Sequence, residues 1–309
     1  MKKSNHIQPT FKGIIPPMIT PLLDADTLDI KGLEKLIDHI LAGGVHGLFI
    51  LGTTGESTSL SYKIRHELIE KTCAIVNNRV PVFVGITDTA AVESLKLAET
   101  AAKAKASAVV AAPPYYFNLG QAELIEYYQY LSERLPLPLF LYNMPSHTKI
   151  MIEPDTVEIL SELKNIVGLK DSSANSVYFN KVLYKMKDRP DFSLLVGPEE
   201  IMAESVLLGG HGGVNGGANL FPSVYVNLYN SAISGNLEEV RKYHRQVMEI
   251  STKLYSVGSF GSSYLKGLKA ALSIMEICSD YMASPLHSFR STERELVERN
   301  LMEIRKNIK

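Results

Sequence analysis

The sequence predicts a (β/α)8 barrel (TIM barrel) with a C-terminal helical extension, on the strength of two observations. Short runs of β-branched and aromatic residues alternate with amphipathic stretches of about ten to twenty residues, which is the pattern of repeated βα units on a parallel sheet. Most of these runs are apolar throughout, which indicates strands that are buried on both faces. The 309 residues also suit one barrel of about 250 residues with additional helices.

Eight strands are predicted, and helical segments separate them. The strands are expected at Ile14–Ile19, Gly47–Leu51, Pro81–Ile86, Ala108–Ala112, Leu139–Tyr142, Ile166–Lys170, Ser193–Val196 and Gly213–Asn215. Apolar residues in Leu33–Leu41 recur at the spacing of a core-facing helix, and Tyr62–Asn77 and Ala91–Ala104 behave alike. An open doubly wound sheet is the alternative, but no Gly-x-Gly-x-x-Gly turn follows the first strand.

After the eighth unit the pattern changes to helices alone. These helices are predicted at Leu237–Tyr255, Tyr264–Ile277 and Thr292–Lys309, with no strand between them. We therefore expect a catalytic barrel over residues 1–235 and a helical subdomain over residues 236–309.

Composition excludes several classes of partner. A formal net charge of −1 provides no positive field for nucleic acid or anionic lipid, so a small-molecule ligand is expected. The first twelve residues contain no apolar stretch that predicts a signal peptide or membrane anchor, which favours a cytoplasmic location. Cys73 and Cys278 fit neither a disulfide scaffold nor a zinc site, and the histidines form no metal-binding motif, so no metal is expected.

Lys170 is the first candidate for chemistry, because the active site of a βα barrel lies where the strands end. It closes the apolar run 166–169. Burial disfavours the ammonium form of a lysine, and an uncharged amine can condense with a ketone to form an imine. A lysine paired with Asp171, or one that caps the barrel mouth, is the structural alternative, and the residues alone leave both interpretations open.

Tyr142 ends the neighbouring fifth strand, so its phenol is expected to face Lys170. Imine formation and carbon–carbon cleavage both require protons to move, and a positioned phenol can act as the acid and base. The alternative for Tyr142 is an aromatic core residue with a satisfied hydroxyl group.

Two glycine-rich segments are candidate ligand loops. Gly52-Thr53-Thr54-Gly55 precedes a helix predicted to begin near Ser61, and such a turn can direct several backbone N–H groups at a carboxylate. A locally bonded turn is the alternative. Gly209–Gly217 would permit close backbone approach to a ligand, and because barrel phosphate sites favour this position, a phosphosugar isomerase stays among the alternatives.

Three ordered motifs resemble those of the dihydrodipicolinate synthase and N-acetylneuraminate lyase family of pyruvate-dependent, Schiff-base aldolases. They are Gly52-Thr53-Thr54-Gly55-Glu56, Leu141-Tyr142-Asn143-Met144-Pro145 and Gly168-Leu169-Lys170-Asp171. The likeness extends over nearly the whole chain. It implies a (β/α)8 barrel with a helical C-terminal part and a homotetramer built as a dimer of dimers. It also implies a keto acid such as pyruvate and an aldehyde as reactants, without any metal or organic cofactor.

The resemblance assigns catalytic roles residue by residue. Lys170 corresponds to the Schiff-base lysine and Tyr142 to the acid/base. Thr53 resembles the hydroxyl that relays protons between Tyr142 and Tyr116, a tyrosine that family members insert into the neighbouring subunit's site.

The substrate-binding assignments follow in the same way. Thr54, in the same turn as Gly52, resembles the carboxylate anchor, and the carbonyl of Val214, beside Asn215, resembles part of the pyruvate pocket. His147 occupies the position where synthases that use aspartate semialdehyde carry an arginine for its carboxylate. A histidine offers no permanently charged, bidentate fork, and losing such a pair costs about 2–5 kcal/mol.

A lyase that cleaves a 2-keto-3-deoxy sugar acid to pyruvate and an aldehyde is therefore the leading hypothesis. Phe117, at a position usually occupied by asparagine in the synthases, favours it too. The alternatives within the family are 4-hydroxy-tetrahydrodipicolinate synthase and N-acetylneuraminate lyase. A non-catalytic keto-acid-binding protein is the alternative from a different class.

Overall fold

The computed structural model describes residues 11–308. The prediction that the first twelve residues carry no signal peptide or membrane anchor therefore falls almost entirely outside the described residues, as does the final residue of the predicted last helix. Within residues 11–308, no helix has both the length and the apolar character needed to cross a lipid bilayer.

Eight parallel strands form the central sheet, in agreement with the predicted barrel. In chain order, the strands of the molecule are β1 Gly13–Ile14, β2 Leu22–Asp24, β3 Thr27–Leu28, β4 Leu48–Ile50, β5 Val82–Gly85, β6 Ala108–Ala111, β7 Leu139–Asn143, β8 Ile166–Asp171, β9 Ser193–Val196 and β10 Gly212–Gly213. The sheet runs β1-β10-β9-β8-β7-β6-β5-β4, so the strands from β4 to β10 lie in chain order and β1 lies beside β10. The segment after β1 closes the ring, because the Met18 amide donates to the Phe49 carbonyl and the Phe49 amide to the Pro16 carbonyl.

Helices cover the outside of the barrel. They are α1 Ile30–Ala42, α2 Tyr62–Val76, α3 Ala91–Lys103, α4 Gln121–Ser132, α5 Pro145–Thr148, α6 Pro154–Ser161, α7 Ser176–Lys185, α8 Met202–Leu207, α9 Pro222–Ile233, α10 Leu237–Leu254, α11 Ser263–Ile274 and α12 Ser291–Asn307. The predicted helices agree with these bounds to within a few residues. The helix predicted to begin near Ser61 is α2, and Ser61 caps it by accepting a hydrogen bond from the Ile64 amide.

Two predicted strands differ in their bounds from the regular strands found. Ile14–Ile19 contains only the end of β1, because the chain after Ile14 turns to pair with β4 at Pro17, which has no N–H to donate. Gly213–Asn215 overlaps β10 only at Gly213. The short antiparallel pair β2 and β3 has no counterpart among the predictions, because strands of two or three residues are too short to show alternation.

The last three helices contain no strand between them within the described chain, as the sequence predicts. α10 packs against α9, the last helix of the barrel, and α12 packs against α10 and α11. Val247, Ile250 and Leu301 are fully buried in these contacts. The division into units at residues 235 and 236 stays a prediction.

Aromatic side chains fill the inside of the barrel. The rings of Phe83 and Phe140 pack edge to face at 5.4 Å between centroids, and Phe11 packs against both. Phe140 has room because the facing residue on β8 is Gly168: a Cβ there would lie 2.3 Å from the Phe140 ring and 2.6 Å from the Ser193 carbonyl oxygen. These rings form the apolar floor beneath the mouth of the barrel.

We predict that Gly168→Ala destabilises the protein by about 1–3 kcal/mol, because the added methyl group must displace a packed ring and a strand carbonyl. The free energy of unfolding in urea would measure the effect. Gly261→Ala is the matched control, since nothing lies within 4 Å of a Cβ at that position. Equal stability of the two variants would contradict this account of the barrel interior.

Candidate active site

A cavity with two adjoining lobes opens at the carboxyl ends of the strands. The lobes have volumes of about 290 and 270 Å3. They share a wall formed by Phe49, Thr53, Tyr142, Met144, His147 and Leu265. This is the end of the barrel where (β/α)8 enzymes carry their active sites.

Lys170 lies at the base of this cavity and is 5% exposed. Its Nζ donates a hydrogen bond of 2.8 Å to Ser172 Oγ and lies 3.7 Å from the centroid of the Tyr142 ring. The β7–β8 register pairs Tyr142 directly with Lys170. The amine therefore has an aromatic face, a hydroxyl group and the open cavity around it.

Asp171 does not pair with Lys170, because successive side chains of a strand point to opposite faces. Its carboxylate accepts hydrogen bonds from Asn143 Nδ2 at 2.8 Å and from Ser173 Oγ at 2.9 Å. Burial raises the pKa of Asp171, and these hydrogen bonds only partly oppose the shift. The ion pair that the sequence left open as an alternative role for Lys170 is thus absent.

Tyr142 is buried at the junction of the two lobes, and its Oη lies 3.1 Å from Thr53 Oγ1. Burial by itself would raise the pKa of this phenol. The charge of Lys170 and the hydrogen bonds from Thr53, Lys170 and Ser172 outweigh that effect and lower the pKa of Tyr142 below its usual value. A phenol in this environment gives up and recovers a proton more readily than one in water.

The turn after β4 presents free backbone amides. Its later N–H groups are used locally: Gly55 and Ser57 donate to the Gly52 carbonyl and Glu56 to the Thr53 carbonyl. By contrast, the amides of Thr53 and Thr54 donate to no acceptor among residues 11–308. These two amides are available to an anion, as the sequence predicts for part of this turn.

A buried ion pair holds the turn in place. Glu56 adopts a left-handed backbone conformation with φ of 56°, and its carboxylate pairs with Lys269 of α11. The Ala283 amide also donates to Glu56 Oε2 at 2.8 Å. Both charged side chains are almost fully buried, so the barrel loop and the C-terminal helices are fixed to each other here.

Most of the predicted site residues meet in the cavity, but two do not. Gly52, Thr53, Thr54, Tyr142, His147, Lys170 and Val214 all line it. Asn215 is fully buried and turns away, donating to the Gly197 carbonyl at 2.9 Å. Tyr116 is 80% exposed on the surface of the single chain and packs edge to face against Phe117.

In the glycine-rich stretch that the sequence marked as a ligand loop, Val214 and Gly216 line the cavity, but several glycines make room for protein atoms. A Cβ at Gly216 would lie 1.7 Å from Tyr264 Oη, and one at Gly217 would lie 1.9 Å from Tyr225 Oη. Gly212 packs against the backbone of Gly13. These glycines admit tyrosine side chains and a neighbouring strand, so their density gives no support for a phosphate site of an isomerase.

Ser172, Glu199, Tyr255 and Tyr264 are among the cavity-lining residues that the sequence analysis did not find. Ser172 could have been found, because it follows Lys170 by two residues and so shares its face of the strand. Tyr255 and Tyr264 lie at the end of α10 and in α11, where nothing local distinguishes them from packing residues. Tyr264 Oη is 3.1 Å from Thr54 Oγ1, and its ring packs edge to face on that of Tyr255.

Glu199 is a buried carboxyl group with three hydrogen-bond donors. Oε1 accepts from Tyr225 Oη at 2.6 Å and from Tyr255 Oη at 2.8 Å, and Oε2 accepts from the Gly217 amide at 2.9 Å. Burial raises the pKa of Glu199 to about 7, although these donors partly counter the shift. The group thus joins the loops after β9 and β10 to α10 and titrates near neutral pH.

The cavity is poor in positive charge. Among the described residues that line its two lobes, Lys170 is the only lysine or arginine. Partial burial, together with the charges of Lys149 and Lys170, lowers the pKa of His147 at the rim, so its imidazole is neutral near pH 7. No group of three or more potential metal ligands occurs among the histidines, cysteines and acidic residues that the structure describes.

Comparison with known proteins gives the family. The model of the dihydrodipicolinate synthetase family matches residues 10–304. The chain belongs to this family. A 4-hydroxy-tetrahydrodipicolinate synthase from Syntrophus aciditrophicus is 32% identical, and the alignment covers 94% of this chain and 97% of the relative. The corresponding synthase from Methanocaldococcus jannaschii is 30% identical, with 95% of this chain and 99% of the relative covered.

Solved structures of the dihydrodipicolinate synthetase family agree. A dihydrodipicolinate synthase from Bacteroides thetaiotaomicron superposes with a TM-score of 0.94 at 60% identity, covering 96% of this chain and 100% of that one. A family member from Escherichia coli K12, a prophage protein solved in complex with pyruvate, gives a TM-score of 0.90 at 28% identity, covering 96% and 99%. An N-acetylneuraminate lyase from Mycoplasma synoviae shares the fold, with a TM-score of 0.83 at 23% identity over 96% of this chain and 98% of that chain.

We predict that Glu199 makes the protein less stable as the pH rises. Its pKa is about 7 in the folded state against an ordinary value of 4.5, so its protonated form favours folding. That contribution is complete below about pH 4.5, and up to about 3 kcal/mol is lost as the pH rises through 7. Urea denaturation at pH 5 and pH 8 would measure the loss.

Glu199→Gln removes the titrating group, so the decline between pH 5 and pH 8 should be smaller by that amount. The exposed Glu204→Gln is the matched control and should keep the wild-type decline. An identical pH dependence in all three proteins would contradict the prediction.

Proposed function

We propose that this protein is a carbon–carbon lyase that forms a Schiff base between Lys170 and a 2-keto acid, and that it cleaves a 2-keto-3-deoxy sugar acid with an uncharged tail to pyruvate and an aldehyde. The observation that carries the substrate class is the absence of any cation other than Lys170 among the described residues that line the cavity. The reaction class is supported by the amine, phenol and threonine hydroxyl that meet at its base.

The first step is condensation at Lys170. The amine attacks the ketone carbon, the carbinolamine loses water, and an imine remains. The Tyr142 ring and Ser172 Oγ hold Nζ on the cavity side of β8, which supports this role. The imine nitrogen then accepts the electron pair released on cleavage, a role that a metal ion fills in metal-dependent aldolases, so we propose that no metal or organic cofactor takes part.

Tyr142 is the proposed acid and base. It removes the proton of the C4 hydroxyl group, the C3–C4 bond breaks to release the aldehyde, and the electron pair forms an enamine on Lys170. Protonation of the enamine at C3 and hydrolysis of the resulting imine then release pyruvate. The lowered pKa of Tyr142 and its contact with Thr53 Oγ1 support this proton traffic.

The substrate carboxylate is assigned to the turn after β4. The free amides of Thr53 and Thr54 and the hydroxyl of Thr54 supply donors without a fixed charge. Val214 and Gly52 line the same cavity and are proposed as walls of the keto-acid pocket. Asn215, which turns away from the cavity, is proposed only to support its wall.

The lobe that contains Lys170 is lined by hydroxyl groups and carboxylates. Thr53, Tyr255 and Tyr264 provide hydroxyl groups, and Glu199 and Glu200 are the nearby acids. A polyhydroxylated tail can donate to and accept from such groups, whereas a second carboxylate would meet no cation and would be repelled. This is the physical reason for preferring a sugar-acid lyase.

We propose the oligomeric assembly of the protein from the family resemblance, and its location in the cell from its sequence composition. Tyr116, exposed in the single chain, would reach the site of a neighbouring subunit in a tetramer built as a dimer of dimers. Small molecules are the proposed partners, with neither nucleic acid nor membrane, and the cytoplasm is the proposed location.

A 4-hydroxy-tetrahydrodipicolinate synthase is the second candidate. What favours it is the name of the relatives, including the 60% identical structure from Bacteroides thetaiotaomicron. The same Schiff-base chemistry would serve both reactions, and they differ only in the aldehyde. N-acetylneuraminate lyase activity and a non-catalytic keto-acid-binding role have no observation of their own in their favour.

We expect pyruvate and borohydride to add one reduced pyruvate covalently to the intact protein, because reduction traps the imine on Lys170. Mass spectrometry of the whole protein and of its peptides would locate the adduct. Lys170→Ala should give no adduct, and the exposed Lys149→Ala, the control, should give as much as the wild type. An unmodified wild-type protein, or an adduct on a different lysine, would refute the mechanism.

The residue at position 147 is expected to set the choice of aldehyde. The wild type should release pyruvate from 2-keto-3-deoxy sugar acids and should condense pyruvate with aspartate semialdehyde poorly. His147→Arg should raise kcat/KM for aspartate semialdehyde about tenfold or more, because a guanidinium can bind the second carboxylate in bidentate fashion. His147→Gln, which stays neutral, is the control. Efficient use of aspartate semialdehyde alone by the wild type would favour the synthase instead.

A further inference from the structure

A separate cavity of about 280 Å3 lies among the C-terminal helices and shares no lining residue with the candidate active site. Its walls come from the loop between α10 and α11, the first turn of α11, and the segment that leads into α12. The polar lining consists of four serine hydroxyls, His287, two cations, Lys266 and Arg290, and one carboxylate, Glu293. Donors thus outnumber acceptors.

Lys266 is the central observation, because it is buried at 7% exposure and no carboxylate of residues 11–308 pairs with it. Its Nζ lies 3.4 Å from His287 Nδ1 and faces the Phe289 ring at 5.9 Å. His287 Nδ1 is also 3.1 Å from the Ser288 carbonyl oxygen. The ring of His287 is therefore shared between Lys266 and a carbonyl group, and it supplies no negative charge to balance the lysine.

Two helices also begin at this cavity. Ser262 and Arg290, the N-cap residues of the twelve-residue α11 and the seventeen-residue α12, both line it. Neither N-cap side chain accepts a hydrogen bond from its own helix. The partial positive charge of the first turns therefore adds to that of Lys266 and Arg290, and only Glu293 opposes it.

We propose that this cavity binds the phosphate group of a small anion. The lining side chains carry a net charge of one positive unit, because there are two cations and one carboxylate, and the helix N-termini add to it. A phosphate group has several acceptor oxygens, so it can bind donors that approach from different sides. A volume of about 280 Å3 is at the lower end of ligand sites, so the ligand is inorganic phosphate or a small phosphate ester.

The cavity backs directly onto the candidate active site. Gly261, Tyr264 and Leu265 line the active-site cavity, whereas Ser262, Ser263 and Lys266 face the helical cavity. One loop and one helical turn therefore carry the residues of both, and an occupant of the second cavity would lie one turn from Tyr264. The binding itself does not depend on imine chemistry at Lys170.

Calorimetric titration of the full-length protein with inorganic phosphate and, separately, with glycerol 3-phosphate would test the proposal at constant ionic strength. We expect the wild type to bind at least one of the two, and tighter binding of the ester would identify an organic phosphate as the natural source. Lys266→Met and Arg290→Gln should each weaken binding at least about tenfold, since each removes a charge-assisted contact. Lys164→Met, an exposed change of the same charge, should bind like the wild type.

Pyruvate and borohydride trapping at Lys170 serves as an independent measure of folding. Lys266→Met and Arg290→Gln should retain the adduct while they lose phosphate, so failure of this inference and failure of the proposed lyase chemistry give different results. No binding of either probe by the wild type would overturn the proposal. So would equal affinity for phosphate in the wild type and in both cavity variants.

Discussion

The pairing of β7 with β8 is the constraint on which the candidate site depends. Its register sets Tyr142 beside Lys170 inside the barrel and turns Asn143 and Asp171, which bond to each other, to the outside. Because side chains alternate along a strand, a slip of one residue would exchange these two pairs. The amine would then lie among the helices, away from the cavity, and the chemistry assigned to the cavity would be lost.

The floor of aromatic rings makes this arrangement possible. Phe49, Phe83 and Phe140 fill the barrel below Lys170, so the lysine stem is surrounded by apolar surface while its Nζ reaches Ser172 at the cavity. Gly168 lies two residues before Lys170 on the same face of β8, and its lack of a side chain leaves the space that the Phe140 ring occupies. The same layer of aromatic side chains thus fills the core of the barrel and sets the position of the Lys170 amine.

The sequence was sufficient for the parts of the site that are local to a strand end. Apolar runs predict buried strands, and the residue at the end of each run is the one expected at the mouth of the barrel. Lys170, Tyr142 and Thr53 could be found in this way. Tyr264 could not be found in this way, because its contact with Thr54 joins residues 210 positions apart. The packing at Gly216 and Gly217 could not be found in this way either, because the side chains they admit, Tyr264 of α11 and Tyr225 of α9, come from helices and not from a strand end.

The C-terminal helices are consequently part of the site rather than an appendage. Lys269 holds Glu56 in the turn that offers the amides of Thr53 and Thr54, and Tyr255 shares Glu199 with the loop after β10.

Charged side chains are distributed unevenly between the two cavities. The pocket wall that would meet the tail of a substrate carries hydroxyl groups and carboxylates. Lys266, whose charge no carboxylate of the described residues neutralises, lies on the far side of the α10–α11 loop. In the function we propose, family members share the amine and the phenol, and this wall selects the aldehyde. Relatives that carry out the same carbon–carbon chemistry can therefore differ in substrate without any change at Lys170 or Tyr142.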